Sequence, residues 1–528
     1  MSSRPGPVIV IGAGIAGLAA ALRLAASGSG VILLERHGAM GGRIRALPTG
    51  AGPAEAGPTV LTMLPVFEAL FGAAGERLAD HVALVPQPVL ARHVWPDGSR
   101  LDLHSDRDAS AAAIADFAGA GEADRFRAFA ARAERLFHAF EGPVMANARP
   151  RLGPLAAHVA RHPRLALDMM PGLSLSRSLA LTFRDPRLRQ LFGRYATYVG
   201  GTPDQAPALL SLIWHAEERG VHAVRGGISA LARAVAALAV ERGARIRTGV
   251  HVERIETEGG AVTGVRLAGG ERIAGEAVLF AGDPRALATG LLGDGVRGAG
   301  GATARVPRAL SASVWSFAAR AEGPLADALL HHNVLFADDP DRDWREIAAG
   351  RHPTDPTLYL CAQDRLDGTR PDGAERFEII ANAPPLPEGG ALPETEFETC
   401  RTATFETLER RGLKFDPPPG REAWTGPAQF DAMFPATLGS LYGQSPNGLT
   451  AALARPTART PIRGLYLAGG GAHPGAGVPM AALSARHAVE AITEDRASTS
   501  RSRRGAMAGG ISTASRTTAP APSPSSPS

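Results

Sequence analysis

Three glycines carry the first chemistry in this chain. Gly12, Gly14 and Gly17 stand in the run Gly12-Ala13-Gly14-Ile15-Ala16-Gly17, directly after the apolar run Val8-Ile9-Val10-Ile11. The pattern predicts a buried strand, a tight turn, a helix from Leu18 to Ala26 and a second strand over Val31–Leu34 that ends at Glu35. Gly12 permits the turn, Gly14 lets a pyrophosphate approach the backbone, and Gly17 lets the helix pack on the sheet. Ile15 and Ala16 lie in the first turn, whose free N–H groups and partial positive charge face an anion. Glu35 falls where a carboxylate can accept hydrogen bonds from a ribose diol. Together these residues describe a dinucleotide site.

A second element follows. Arg36 follows the strand, and Gly41-Gly42-Arg43 comes a few residues later. Gly42 would let the chain run against a cofactor, and Arg43 would offer a charged fork to pyrophosphate oxygens; Arg43 as a plain surface arginine is the competing reading. Gly57, Pro58 and Thr59 form either a loop returning to the cofactor or an ordinary turn. Near the C-terminus, Gly469 to Gly477 is a glycine-rich loop between a strand and a helix that opens at Val478-Pro479-Met480. So many glycines require positive-φ turns or close approach to a ligand, and Gly470, Gly471, Val478, Pro479 and Met480 are expected against it. His473, inside this loop, is a candidate proton acceptor or a turn histidine bonded to backbone. His215 and Glu217 are further candidates for proton chemistry.

The elements that must position these groups are legible in outline. Val82 to Leu103 reads as strands with a hairpin at Pro96-Asp97-Gly98. Phe117, Phe126, Phe129, Leu136, Phe137 and Phe140 fall on one helical stripe, which suits core packing or a lipid-binding face. Arg161-His162-Pro163-Arg164 and the apolar Leu165–Leu175 suit a membrane surface or an ordinary helix. A helix opens after Gly226-Gly227. Strands recur from Arg245 to Ala281.

Composition sets the bounds. The chain has 528 residues, enough for two or three domains. Its net charge of +4 is matched by Arg501, Arg503, Arg504 and Arg516 in a tail without acids. The body is therefore neutral, and the basic balance gives no argument for nucleic acid. Cys361 and Cys400 stand far apart, outside any metal-binding or disulfide pattern, so no metal is expected and a reducing cytoplasm is the simple inference. Met1 to Pro7 is too short and polar for a signal peptide. No uninterrupted apolar run reaches membrane-spanning length. Thr499 to Ser528 is rich in Ser, Thr, Pro and Arg and is expected to be disordered.

The Gly-x-Gly-x-x-Gly unit followed by Gly41-Gly42-Arg43 resembles the FAD-dependent amine oxidase and desaturase superfamily. Tyr198–Pro203, Gly226-Gly227 and Gly471–Gly477 narrow the resemblance to the bacterial-type phytoene desaturases and their carotenoid-acting relatives. Within these, Ala56–Met63, Pro88–His93 and Gly475–Leu483 look closest to the hydroxyneurosporene and methoxyneurosporene desaturases of purple phototrophs. The resemblance implies an α/β fold: a Rossmann-type FAD-binding domain with an interleaved α+β substrate domain. It implies a cofactor domain from residues 1–75, 225–300 and 456–497, a substrate domain from 76–224 and 301–455, and a disordered tail over 498–528. It further implies FAD as cofactor, with its adenine against backbone near Val252, and a 1-hydroxy or 1-methoxy acyclic carotenoid desaturated at C3–C4; a lipid bilayer surface is the expected partner for so insoluble a substrate, and oxygen and a quinone both stay open as electron acceptor. Three alternatives stay open: an earlier phytoene desaturase, a flavin amine oxidase, and a non-enzymatic prenyl-protein escort protein on the same fold.

Overall fold

In the computed structural model, which describes residues 6–390, 395–448 and 450–508, the strand Val8–Ile11 is the centre of a five-stranded parallel sheet. The order is Leu465–Leu467, Ala277–Phe280, Val8–Ile11, Val31–Leu34, Arg245–Arg247. The central strand alternates its side chains between two cores. Val8 and Val10 pack under the helices Ile15–Ala26, Ser229–Glu241 and Val478–Ala508. Ile9 and Ile11 face a three-stranded antiparallel sheet formed by Val252–Glu258, Ala261–Leu267 and Arg272–Ala274. Burial on both faces is why this strand reads as a continuous apolar run.

The helix Ile15–Ala26 is almost wholly buried because it is built from small and aliphatic residues. Its close seat on the sheet depends on Gly17: a methyl group there would stand 1.9 Å from the Gly12 carbonyl oxygen. The helix opening at Val478 runs to Ala508, well past its expected end at Ile492. The expected disordered tail over 498–528 is thus corrected at its start, where a continuous helix replaces it; residues 509–528 lie outside the described residues.

The second body is an eight-stranded sheet. Its path is Lys414–Asp416, Ser311–Glu322, Glu375–Ala383, Leu358–Ala362, His332–Leu335, Val89–Val94, Arg100–His104, and Trp424–Thr425 also pairs with Ser311–Glu322. All pairings are antiparallel except His332–Leu335 with Val89–Val94. The expected hairpin is present, closed by the Gly98 N–H donating to the Trp95 carbonyl at 3.0 Å. The helices Arg107–Ala118 and Ala120–Phe140 cover this body. Phe126, Phe129, Leu136, Phe137 and Phe140 are buried, so the aromatic stripe is core and the lipid-facing alternative for it falls. Among the described residues no helix is long and apolar enough to cross a membrane.

Candidate functional site

A cavity of about 580 Å³ opens at the C-terminal end of the parallel sheet, between the two bodies. Its walls include Gly12, Gly14, Ile15, Ala16, Glu35, Arg36, Gly42, Arg43, Gly57, Pro58, Val252, Gly470, Gly471 and Val478. Fourteen separately reasoned positions therefore converge on one space, although they are drawn from both ends and the middle of the chain.

The geometry at the helix start suits an anion. Gly14 is the N-cap of Ile15–Ala26; no side chain caps the helix and no acid stands in its first turn. Its first amides remain free for an outside acceptor. Gly42 lies so close that a methyl group there would stand 2.9 Å from the Gly14 Cα. Glu35, 5% exposed, is fixed by two backbone amides: Ala13 N–H donates to Oε2 at 2.7 Å and His37 N–H to Oε1 at 2.9 Å. Each carboxylate oxygen keeps a lone pair for a diol.

Arg43 is half-buried against this site without a carboxylate partner among the described residues. Nε has no hydrogen-bond partner, and Nη2 reaches the Ser440 carbonyl only at 3.4 Å. Its guanidinium lies 5.4 Å from the Phe434 ring centre. Arg308 takes the nearby Asp283 at 2.5 Å, while Arg455 is satisfied only by the carbonyls of Gly470, Tyr442 and Gln444. Burial, assisted by repulsion from Arg308 and Arg43, pushes Arg455 down to about 10, and burial lowers Arg43 as well. Three guanidiniums around one carboxylate leave net positive charge beside the cavity, which a pyrophosphate would neutralise.

Five expected residues do not line the cavity. Gly17 serves the helix–sheet contact. Pro479 and Met480 turn away, because Val478 and Ala481 are the residues of that helix that face the cavity. Thr59 points to the sheet, with Oγ1 2.6 Å from the Tyr359 hydroxyl. His473 is the plainest correction. Its Nε2 is shared between the carbonyls of Val144 at 3.0 Å and Asn147 at 2.9 Å. Burial pushes it down to about 4. It is a brace between the glycine loop and a distant turn, and the proton-acceptor reading has no support in its position. His215 and Glu217 are buried outside the cavity, bonded to Glu218 and Tyr198.

The remaining wall was not legible in the sequence. Val314 and Ile380 enter from the large sheet, and Phe430, Met433, Phe434, Leu441 and Tyr442 from the segment before the last strand. Tyr442 explains one motif: a methyl group at Gly200 would stand 2.5 Å from its ring. Gly200 is thus the clearance that lets Tyr442 reach the cavity, and Gly201 gives the same room to Pro446. The Asp283-Pro284 step after a strand was the one available signal for Asp283.

A parallel sheet with a glycine-rich phosphate seat, an acid at the second strand end and a mainly apolar wall beyond defines a dinucleotide-dependent oxidoreductase. A family model described as flavin-containing amine oxidoreductase matches residues 15–339, and the chain belongs to that family. Its cofactor is FAD, whose dinucleotide the cradle fits. The chain is 55% identical to a hydroxyneurosporene desaturase of Cereibacter sphaeroides, over 94% of this chain and 99% of that protein. It is 48% identical to the Rhodobacter capsulatus hydroxyneurosporene desaturase, over 93% and 98%. Among solved structures, an oxidoreductase from Methanosarcina mazei shares the fold with a TM-score of 0.59 at 16% identity, covering 92% of this chain and 100% of that one.

Proposed function

We propose that this enzyme desaturates the C3–C4 bond of an acyclic carotenoid bearing a 1-hydroxy or 1-methoxy end. The observation that carries the substrate class is the near full-length similarity to two hydroxyneurosporene desaturases. The cavity supports it chemically. Beyond the cofactor seat its wall includes Val314, Ile380, Phe430, Met433, Phe434, Leu441 and Tyr442, a mainly apolar lining that suits a polyene. The one lysine, Lys414, is exposed and paired with Glu409, so the lysine typical of flavin amine oxidases has no counterpart here. An escort protein would have no need of the glycine loop that completes the cofactor seat.

Bound in this cradle, FAD supplies a two-electron acceptor for a hydride. The helix start at Gly14, with Gly42 and Arg43, holds the pyrophosphate; Glu35 holds the adenosine ribose; backbone near Val252 meets the adenine; the loop at Gly470–Gly471 and Val478 backs the ring system. The apolar wall excludes water and sets the carbon at reacting distance. Loss of hydride next to a polyene leaves a delocalised cation, so the accompanying proton needs no strong base. Residues 1–75, 225–300 and 456–497 form the cofactor unit, and 76–224 and 301–455 the substrate unit.

Arg43→Met should separate cofactor binding from folding. FAD affinity is expected to fall about tenfold to hundredfold, the loss of a charged hydrogen bond worth ~1.5–3 kcal/mol. The apoprotein should melt no lower than wild type, because an uncompensated buried charge has been removed. Flavin titration and apoprotein melting read the two effects. Unchanged FAD affinity would remove Arg43 from the pyrophosphate seat.

The substrate is insoluble in water, so loading from a bilayer is part of the proposal, at the cytoplasmic face of a photosynthetic membrane, with oxygen or a quinone as final acceptor. The helix Leu152–Ala160 has no buried residue, and Leu152 and, on the next helix Pro163–Met169, Leu167 are 62% and 77% exposed. Arg151, Arg161 and Arg164 flank them, which suits an anionic surface. His473, Arg486 and His487 bind the carbonyls of 144–147 at the base of this pair, tying it to the glycine loop and the last helix. Leu152→Asp with Leu167→Asp should lower sedimentation with anionic vesicles severalfold and leave flavin content unchanged. Equal sedimentation of variant and wild type would place the docking face elsewhere.

A further inference from the structure

One buried acid lies just behind the cavity wall, outside the cofactor cradle. Glu378 is fully buried, and neither carboxyl oxygen has a hydrogen-bond partner. It forms no ion pair among the described residues. Its neighbour across the sheet, Ser316, is 2% exposed and its hydroxyl is also unpartnered. Leaving such groups unpaired costs stability, so their place needs a reason.

Register supplies one. Val314 pairs with Ile380, and Ser316 with Glu378. The side chains at 314 and 316, and at 378 and 380, share one face of the sheet. Val314 and Ile380 line the cavity. The two unpartnered polar groups therefore lie one step behind an apolar wall, about 7 Å along the strands. Burial holds the Glu378 carboxyl well above the usual carboxylate range, with Glu55 adding to the effect and the Arg45 charge offsetting only part of it. The group is an acid that can donate.

We propose that Glu378, assisted by Ser316, receives the C1 oxygen of the substrate and so selects oxygenated carotenoids. The inference rests on the function proposed above. A hydroxyl and a methoxy oxygen share one property, a lone pair that accepts; a neutral carboxyl donates to both, whereas a carboxylate could serve only the hydroxyl. The C1 oxygen is three bonds from C3, so holding it also fixes the reacting C3–C4 bond. Glu378 itself is not part of the cavity wall, so its side chain must turn past Ile380 when the substrate is bound. A site built to bond an oxygen rejects the analogue that lacks it, because its own polar group is then left unpaired.

The test compares FAD-loaded wild type, Glu378→Leu and Glu378→Gln on 1-hydroxyneurosporene and on neurosporene. Glu378→Leu should lower kcat/KM for the hydroxylated substrate tenfold to hundredfold and leave that for neurosporene within a fewfold of wild type. Glu378→Gln, which keeps a donor, should retain most of the preference. Infrared difference spectra of the wild type supply a reading independent of variant folding. A protonated-carboxyl band, absent in Glu378→Gln, should shift on binding the hydroxylated carotenoid and not on binding neurosporene. An unchanged preference in Glu378→Leu, or a band indifferent to the oxygen, overturns this inference alone. A wild type inert to the hydroxylated substrate would instead overturn the proposed function.

Discussion

Glu35→Ala is expected to yield a protein that purifies without FAD. The carboxylate does two things at once. It stands ready for the ribose diol, and it already accepts the Ala13 and His37 amides in a site only 5% exposed. Removing it strands both amides, each at about 1–3 kcal/mol, and takes away a charged ribose contact of about 1.5–3 kcal/mol. Ala13 lies inside the phosphate turn, so the damage reaches the helix start as well. FAD affinity should fall by more than about a hundredfold, a loss above ~3 kcal/mol, and the apoprotein should melt lower. Glu35→Gln keeps one acceptor oxygen and should fall between. Flavin absorbance after gel filtration, with melting curves of both variants, measures this. Wild-type flavin content in Glu35→Ala would contradict the role assigned here.

Gly41→Ala should be as damaging for a different reason. Gly41 has φ of +120°, a conformation side chains rarely adopt, and a methyl group there would stand 2.1 Å from the Ile44 carbonyl oxygen. Its N–H donates to the Ala13 carbonyl at 2.8 Å, and Gly41 bridges Gly14. Relief of the clash must move the chain that carries Gly42 and Arg43. Backbone strain and overpacking each cost about 1–3 kcal/mol. A lowered melting point and loss of bound FAD are expected together. Gly38→Ala, in the same loop with nothing within 4 Å of the added methyl, is the control and should behave as wild type. Normal flavin binding by Gly41→Ala would show that the loop adapts.

The cofactor cradle was legible because its signals are local. A strand, a turn and a helix within a few residues fix where Gly12, Gly14 and Glu35 must stand, whatever the rest of the chain does. The errors came where a neighbour's role was extended along the chain. Thr59 follows two wall residues but points to Tyr359, and Pro479 and Met480 follow Val478 but lie off the helical face that Ala481 continues. His473 had the right neighbours, yet its partners are more than 300 residues away in sequence. The apolar wall and Glu378 were hidden for the same reason. Their relation to the site is set by strand register in the large sheet, which pairs Ser311–Glu322 with Glu375–Ala383 and which no local pattern encodes.

The central claim is the substrate. FAD-loaded protein in liposomes, supplied with oxygen or a quinone, should be given 1-hydroxyneurosporene and, separately, phytoene. The expected result is a product with one more conjugated double bond, at C3–C4, and a red-shifted absorption with the hydroxylated carotenoid only. Turnover of phytoene with none of 1-hydroxyneurosporene would contradict it and place the enzyme at an earlier desaturation.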